Sequence, residues 1–269
     1  MQDVTIAVQG GIGIITINRP EKFNSFRKQT YTDVQQALLQ LADNKDVIIT
    51  VLTGKGRFFS SGADITEERE APKDRYDAWV KFRSALEFST AAMTRAIIDH
   101  PKPLVVLLNG PVIGYPAGAI ANADLIYATE SSYLHCPFSS LALCAEGNAS
   151  HAFVQRMGLG AANEVLLFGK RLNGRELETC GFVNQTFKNE DFVAETTKIL
   201  QTAVKTCHPA SLAVTKALIR SAFKEQQYKT LMQETDALTE RYMSGDPAIA
   251  FTNLMKRNEA AKATKASKL

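Results

Sequence analysis

Two short stretches of the chain combine glycine, small residues and a following helix start in a way that could expose backbone donors. The first is Ser60-Ser61-Gly62-Ala63-Asp64, after the apolar run at 47–53. The second is Asn109-Gly110-Pro111-Val112-Ile113-Gly114-Tyr115-Pro116, after the apolar run at 104–108. Pro116 suits the first turn of a helix, where its missing N–H would go unpaired anyway. A helix start behind a tight glycine turn leaves backbone N–H groups unpaired and adds the positive end of the helix dipole. Set side by side at the C-terminal ends of parallel strands, two such turns could aim two N–H groups at one oxygen, which is an oxyanion hole. Singly, each reads as a plain turn. A carboxylate follows in Leu143-Cys144-Ala145-Glu146-Gly147, and by residue type alone Glu146 reads as a surface glutamate beside a glycine.

The elements that must position these turns follow from the apolar pattern. β-Branched runs at 4–8 and 13–18, separated by Gly10-Gly11, predict a hairpin or two neighbouring strands. Tyr31, Val34, Leu38, Leu39 and Leu41 fall near helical period over 28–42. The run at 47–53 is continuous, as in a strand buried on both faces. Residues 65–76 are charged and expected to be mobile. A long helix is predicted over 76–98, then a strand at 104–108, a helix near 116–122, and short strands at 125–128 and around Leu134. From 149 onward the pattern is mainly helical, with breaks at Gly158-Leu159-Gly160, Gly169, Gly181 and Pro209. This rhythm implies an α/β fold with a mostly parallel sheet, followed by helices that pack on it or on a neighbouring subunit.

Composition narrows the function classes. At 269 residues and 45% hydrophobic, the chain can bury a full core as one large domain, alone or with a helical appendage. The formal charge is +3, but 256–269 hold five Lys or Arg and one acid, so the body is close to neutral and offers no broad basic face for nucleic acid. Cys136, Cys144, Cys180 and Cys207 form no C-x-x-C pair, and the four histidines do not fall at metal-ligand spacing. Free thiols in a reducing compartment and no metal are the expectation. The N-terminus lacks the charged and apolar regions of a signal peptide. Residues 103–123 carry no charge, but Asn109, Gly110, Pro111, Gly114, Pro116 and Gly118 would break a membrane helix, so no span is expected. The final Ser267-Lys268-Leu269 reads as a peroxisomal address for an import receptor, or as the basic end of a last helix.

Together the motifs resemble the crotonase (enoyl-CoA hydratase/isomerase) superfamily. The matching stretches are Asn18-Arg19-Pro20-Glu21-Lys22-Phe23-Asn24-Ser25, Phe59-Ser60-Ser61-Gly62-Ala63-Asp64 and 109–114, in the right order over nearly the whole chain. The resemblance implies a spiral of ββα units over 1–200 and a C-terminal helical trimerisation region over 201–269 that ends in the targeting tail. It implies a homotrimer or homohexamer acting on an acyl-CoA, with coenzyme A as part of the substrate and no separate cofactor. The backbone N–H groups of Ala63 and Tyr115 would hold the thioester oxygen. Lys22, Phe23, Asp64 and Ile65 would lie near the coenzyme, with Lys256 available to phosphates, and Gly114 and Phe138 would line the substrate site.

The acid/base residues decide among the family's reactions. The two glutamates of enoyl-CoA hydratases fall at Gly118 and Phe138 here, and neither side chain can transfer a proton. Glu146 instead resembles the single catalytic glutamate of Δ3,Δ2-enoyl-CoA isomerases. Dienoyl-CoA isomerases carry Asp there and a second acid upstream, which Phe138 does not supply. The resemblance therefore implies a peroxisomal isomerase of unsaturated fatty acid degradation. The alternatives are a hydratase-like relative acting on another acyl-CoA in a specialised pathway, and a non-catalytic member that binds CoA esters or RNA. Tyr115 is bulkier than the glycine of hydratases, so its ring either lines the acyl pocket or packs; Asn148 has no role legible from sequence.

Overall fold

The computed structural model describes residues 1–67 and 70–266, with side chains omitted at 258 and 261–266. Ser267-Lys268-Leu269 and part of the 65–76 segment lie outside the described residues. Strands β1 (Val4–Gln9) and β2 (Ile12–Ile17) form an antiparallel hairpin. Gly10 and Gly11 turn it with φ of 55° and 81°, the left-handed values that a two-residue loop of this kind requires. Beyond β2 the pairing becomes parallel, through β3 (Ile49–Gly54), β4 (Leu104–Leu108), β6 (Leu125–Thr129) and β9 (Gln185–Phe187). A second, three-stranded sheet joins β5 (Val112–Ile113), β7 (Tyr133–His135) and β8 (Leu172–Asn173).

The main sheet is covered on both faces, which is why its strands read as unbroken apolar runs. Ile15, Ile17, Leu52, Val106 and Leu108 pack into the large core with Val34, Leu38 and Leu41 of α1 (Lys28–Asp43). Their alternate neighbours Ile49, Val51 and Val105 face the other way, against Phe192 and Leu200 of α7 (Phe192–Thr206). Residue 200, the boundary drawn from sequence, thus lies inside a helix that packs on the sheet.

The helix predicted over 76–98 is one rod in three parts: α2 (Arg75–Leu86), a π segment (Glu87–Ala91) and α3 (Ala92–Asp99). Hydroxyls along it bond back one turn, Ser89 to the carbonyl of Ala85, Thr90 to Leu86 at 3.2 Å and Thr94 to Thr90 at 2.7 Å. Such back-bonding competes with the regular ladder and bends helices. Helix α4 (Tyr115–Ile120) follows β5, and α5 (Ala149–Phe168) is broken at Gly158, as expected, where a non-helical φ of 75° and ψ of 164° kink one helical stretch against the next. The region after 149 is not wholly helical: β8 and β9, two and three residues long, are too short to show a period. The rest is α6 (Gly174–Thr179), α8 (Pro209–Ser221), α9 (Lys224–Met243) and α10 (Asp246–Ala266). Among the described residues no helix is long and apolar enough to cross a membrane.

His100 ties the end of α3 to β3 through a 2.7 Å bond between Nε2 and Thr50 Oγ1. Burial, and then the charge of Lys216, hold its imidazole down to about 3. The unfolded chain, with an ordinary histidine near 6.5, therefore takes up a proton first. Stability is full above that value and falls as pH drops from about 6.5 toward 3, by an amount on the order of a few kcal/mol. His100→Gln is expected to flatten this part of the stability profile, measured by denaturant unfolding at a series of pH values.

Candidate active site

Asparagine side chains, rather than sheet ladders, hold the two glycine turns. Asn24, at φ 54° and fully buried, donates from Nδ2 to the carbonyls of Lys55 (3.0 Å) and Phe58 (2.7 Å) and accepts the Arg19 N–H at 2.9 Å. Asn109 accepts the Gly54 N–H at 3.0 Å and donates to the Gly56 carbonyl at 2.8 Å. The turns are then joined directly: Phe59 N–H donates to the Pro111 carbonyl at 3.0 Å, and Ile113 N–H to the Ser60 carbonyl at 3.0 Å. Gly62 (φ 95°) and Gly114 (φ 67°) take left-handed conformations at this junction. A Cβ on Gly114 would stand only 4.0 Å from the Gly62 Cα, so the turns lie against each other.

This packing exposes the two predicted donors. Phe26 forms a bridge with Ala63 through Phe26 N–H to Gly62 O and Asp64 N–H to Phe26 O, both 2.8 Å. Those bonds use the groups on either side of Ala63, so its own N–H points away from the bridge. Tyr115 is the first residue of α4, where the N–H has no intrahelical acceptor. Neither N–H donates to a protein acceptor among the described residues.

The Tyr115 ring packs in the core. It lies 5.3 Å from Tyr31 and 6.4 Å from Phe26, centroid to centroid, and its hydroxyl donates to the Thr90 carbonyl of the π segment at 2.9 Å. The side chain thereby roots the residue whose N–H faces the cavity.

Glu146 reaches the same place from the other side. Its loop lies directly on α4: a Cβ on Gly118 would come within 2.2 Å of the Glu146 carbonyl oxygen, and one on Gly147 (φ 74°) within 2.8 Å of the Ala119 nitrogen. Position 118 therefore has no room for a side chain. Burial pushes up the Tyr115 hydroxyl and the Cys136 thiol, and Glu146 adds to both shifts. Burial and then Glu146 raise the Cys144 thiol to about 11.

A cavity of about 380 Å³ joins these groups, with Ala63 and Tyr115 on one wall and Glu146 on another. Phe138, 2% exposed, and Leu143 make its interior apolar. Lys22, Phe23, Ile65 and Gly114 also border it, so all the site residues read from sequence except Lys256 line one space. Asp64 borders it too, but its carboxylate is engaged, accepting from Arg19 (3.2 Å), Ser25 Oγ (3.1 Å) and Thr66 Oγ1 (2.7 Å). Burial would raise it, but these bonds hold it below the ordinary carboxylate range. Sequence reasoning missed Phe251 and Leu254 of α10, which close another wall, while Lys256 is exposed and not part of the lining. The one available signal was their three-residue spacing, which puts both on one face of a helix. Among the described residues no group of three His, Cys, Asp or Glu is placed to hold a metal.

Residues 7–249 match the enoyl-CoA hydratase/isomerase family. The chain belongs to that family. Among its relatives is a Delta(3,5)-Delta(2,4)-dienoyl-CoA isomerase of Pyricularia oryzae, 41% identical over 193 residues, 68% of each chain. Enoyl-CoA delta isomerase 2 of Rattus norvegicus is 35% identical over 94% of this chain, which spans only 63% of the rat protein. The peroxisomal enoyl-CoA delta isomerase 3 of Mus musculus is 33% identical over 97% of this chain and 80% of its own length. The crystal structure of an enoyl-CoA hydratase/isomerase from Pseudoalteromonas atlantica superposes with a TM-score of 0.83 at 25% identity, covering 95% of this chain and 98% of that one. The fold is accordingly that of the crotonase family, with a parallel sheet and a C-terminal helical region.

Within this family fold, Gly118 is the point where α4 admits the glutamate loop. Gly118→Ala is expected to destabilise the protein by about 1–3 kcal/mol, as for other overpacked sites. Denaturant unfolding measures the loss, and wild-type stability in this variant would show that the loop does not need the contact.

Proposed function

We propose that this chain is a Δ3,Δ2-enoyl-CoA isomerase. The observation that carries the reading is that Glu146 shares one apolar cavity with two unpaired backbone N–H groups, while the second hydratase acid position is a buried phenylalanine. A 3-enoyl thioester has acidic hydrogens at C2, between a carbonyl and an alkene. Glu146 takes one of them; the C2–H electron pair moves into conjugation and charge gathers on the thioester oxygen. The N–H groups of Ala63 and Tyr115 stabilise that charge where it develops. The protonated Glu146 then delivers the proton to C4, leaving the double bond between C2 and C3. One carboxylate serves both carbons because both lie within its reach. Phe138 and Leu143 keep out the water that hydration would need. Coenzyme A enters as part of the substrate, past Lys22 and Phe23, and the reaction needs no other cofactor.

The Pyricularia relative favours a second reading, conversion of 3,5-dienoyl to 2,4-dienoyl esters. That reaction starts with the same proton abstraction but returns the proton two carbons further along. Among the described residues the other acids bordering the cavity are Glu21 and Asp64, the latter engaged with Arg19, so none of them supplies the second acid at the Phe138 position. Hydration of a 2-enoyl ester would use the same donors but needs the second acid that Phe138 does not supply, and binding of CoA esters or RNA without catalysis leaves the glutamate and the two N–H groups without a task. The terminal Ser267-Lys268-Leu269 and the peroxisomal mouse relative support work in the peroxisomal matrix, in β-oxidation of unsaturated fatty acids. Exposed Val214, Leu218 and Ile219 on α8 support assembly into trimers or hexamers.

Isomerisation of a 3-enoyl-CoA is the deciding measurement, with 3,5-dienoyl-CoA and 2-enoyl-CoA as competing substrates. Glu146→Gln is expected to lower kcat by about 10²–10⁴-fold, with acyl-CoA binding retained. Faster turnover of the dienoyl ester would transfer the assignment to the second reading, and no turnover of any of the three by folded protein would overturn it.

A further inference from the structure

The loop that carries Glu146 has its two ends held by one helix of the C-terminal region. Glu234 of α9 is 7% exposed and accepts three hydrogen bonds at the start of α5. Its Oε2 takes the Asn148 N–H at 2.6 Å, and its Oε1 takes the Ser150 N–H at 2.8 Å and the Ser150 hydroxyl at 2.6 Å. Seven residues on, Arg241 donates from Nε to the Ala142 carbonyl at 2.8 Å. Positions seven apart lie on one face of a helix, two turns from each other. The two grips therefore straddle the segment 142–148, with Glu146 between them.

The local chain cannot hold this shape unaided. Asn148, at φ 64° and fully buried, stands where a residue of its type would cap α5, yet its side chain makes no capping bond. It donates instead to Asn122 Oδ1 at 2.7 Å, and Asn122 Nδ2 donates to the Gly147 carbonyl at 2.9 Å. With Asn148 turned so that its Oδ1, the atom that would cap, is buried without a hydrogen-bond partner, the unpaired N–H groups of the helix start need an acceptor from elsewhere. Glu234 supplies one, and its negative charge suits the positive end of a helix. Burial raises the pKa of this carboxyl, and its bonds to Ser150 and Asn148 oppose that shift.

We propose that Glu234 is a positioning residue for Glu146, with Arg241 as its counterpart at the other end of the loop. The inference rests on Glu146 being the base, and it gives the C-terminal helices a part in the chemistry besides packing. Glu234 touches no substrate. It acts by fixing where the Glu146 carboxylate stands relative to the two N–H groups, and displacement of a catalytic group by about 1 Å can cost about 10²-fold in rate.

The test compares Glu234→Gln with the wild-type chain, and again in the Glu146→Gln background. It reads kcat on a 3-enoyl-CoA, Kd for a saturated acyl-CoA, and amide hydrogen exchange over 142–150. The expected result is kcat lowered by about 10–100-fold, Kd unchanged within about twofold, and faster exchange in the loop. In the Glu146→Gln background the second substitution should lower the residual rate no further, because no base is left to position. A merely structural role would lower kcat and acyl-CoA binding together, in step with the folded fraction, and that result overturns the proposal. Unchanged kcat and unchanged loop exchange overturn it as well. If Glu234→Gln does not fold, Ser150→Ala removes one donor to the same oxygen, and a severalfold lower kcat at the same Kd is expected; wild-type kcat there counts against the proposal. A wild-type chain that does not isomerise would sink the functional reading itself, whereas an active enzyme indifferent to Glu234 sinks only this inference.

Discussion

The bridge between Ser60 and Val112 is the contact on which the rest of the site depends. Strands β3 and β4 are parallel neighbours, and their ladder ends before the glycine turns begin. Without a further tie, the two turns would leave the sheet independently. The bonds from Ile113 to Ser60 and from Phe59 to Pro111 extend the pairing past the end of the sheet. Two N–H groups from segments fifty residues apart in sequence then face one cavity. The left-handed glycines at 62 and 114 follow from that approach, because a side chain at either would be strained and would stand in the junction.

Carrying irregular backbone into the interior creates polar groups that no ladder satisfies, and unpaired buried amides are costly. Asparagine meets that demand at three levels of the site. Asn24 serves the early loop and the first turn, Asn109 the second turn, and Asn122 the loop of Glu146. Each offers a donor pair and an acceptor on a short, stiff stem, which suits carbonyls and N–H groups pointing in unrelated directions. Arg19, Ser25 and Asp64 add a charged knot beside the first turn. The site is thus held by side-chain amides and ion pairs, while the apolar sheet beneath it supplies the rigid floor.

Much of this was legible in the sequence. The central strands are buried on both faces and so write continuous apolar runs, and the turns carry glycine because their backbone demands it. Glu146, Ala63, Tyr115 and Phe138 could be placed through the order of the motifs. What stayed illegible has physical reasons. Strands β8 and β9 are shorter than any period, and the π segment coincides with hydroxyls that bond back along the rod, which apolar spacing does not record. The direction of the Tyr115 ring depends on Thr90 and Tyr31, residues with no sequence relation to it. The contact of Glu234 with Asn148 spans 86 residues, and an acid on a helix gives no sign of facing inward. The wall made by Phe251 and Leu254 left no motif, because two apolar residues one turn apart mark a helix face without saying what it covers.

In the proposed mechanism the oxyanion donors are main-chain atoms, and that has a consequence for how such a site drifts over generations. Every amino acid except proline presents the same N–H, so selection on positions 63 and 115 acts on backbone shape and leaves side-chain identity open. Alanine already stands at 63, and at 115 an alanine would report the lost packing of the ring rather than the N–H. A tyrosine can therefore replace a glycine at 115, provided the interior finds a berth for its ring, as Tyr31, Phe26 and Thr90 do in this chain. Variation at positions 63 and 115 is then a record of core packing, and gives no measure of chemical divergence.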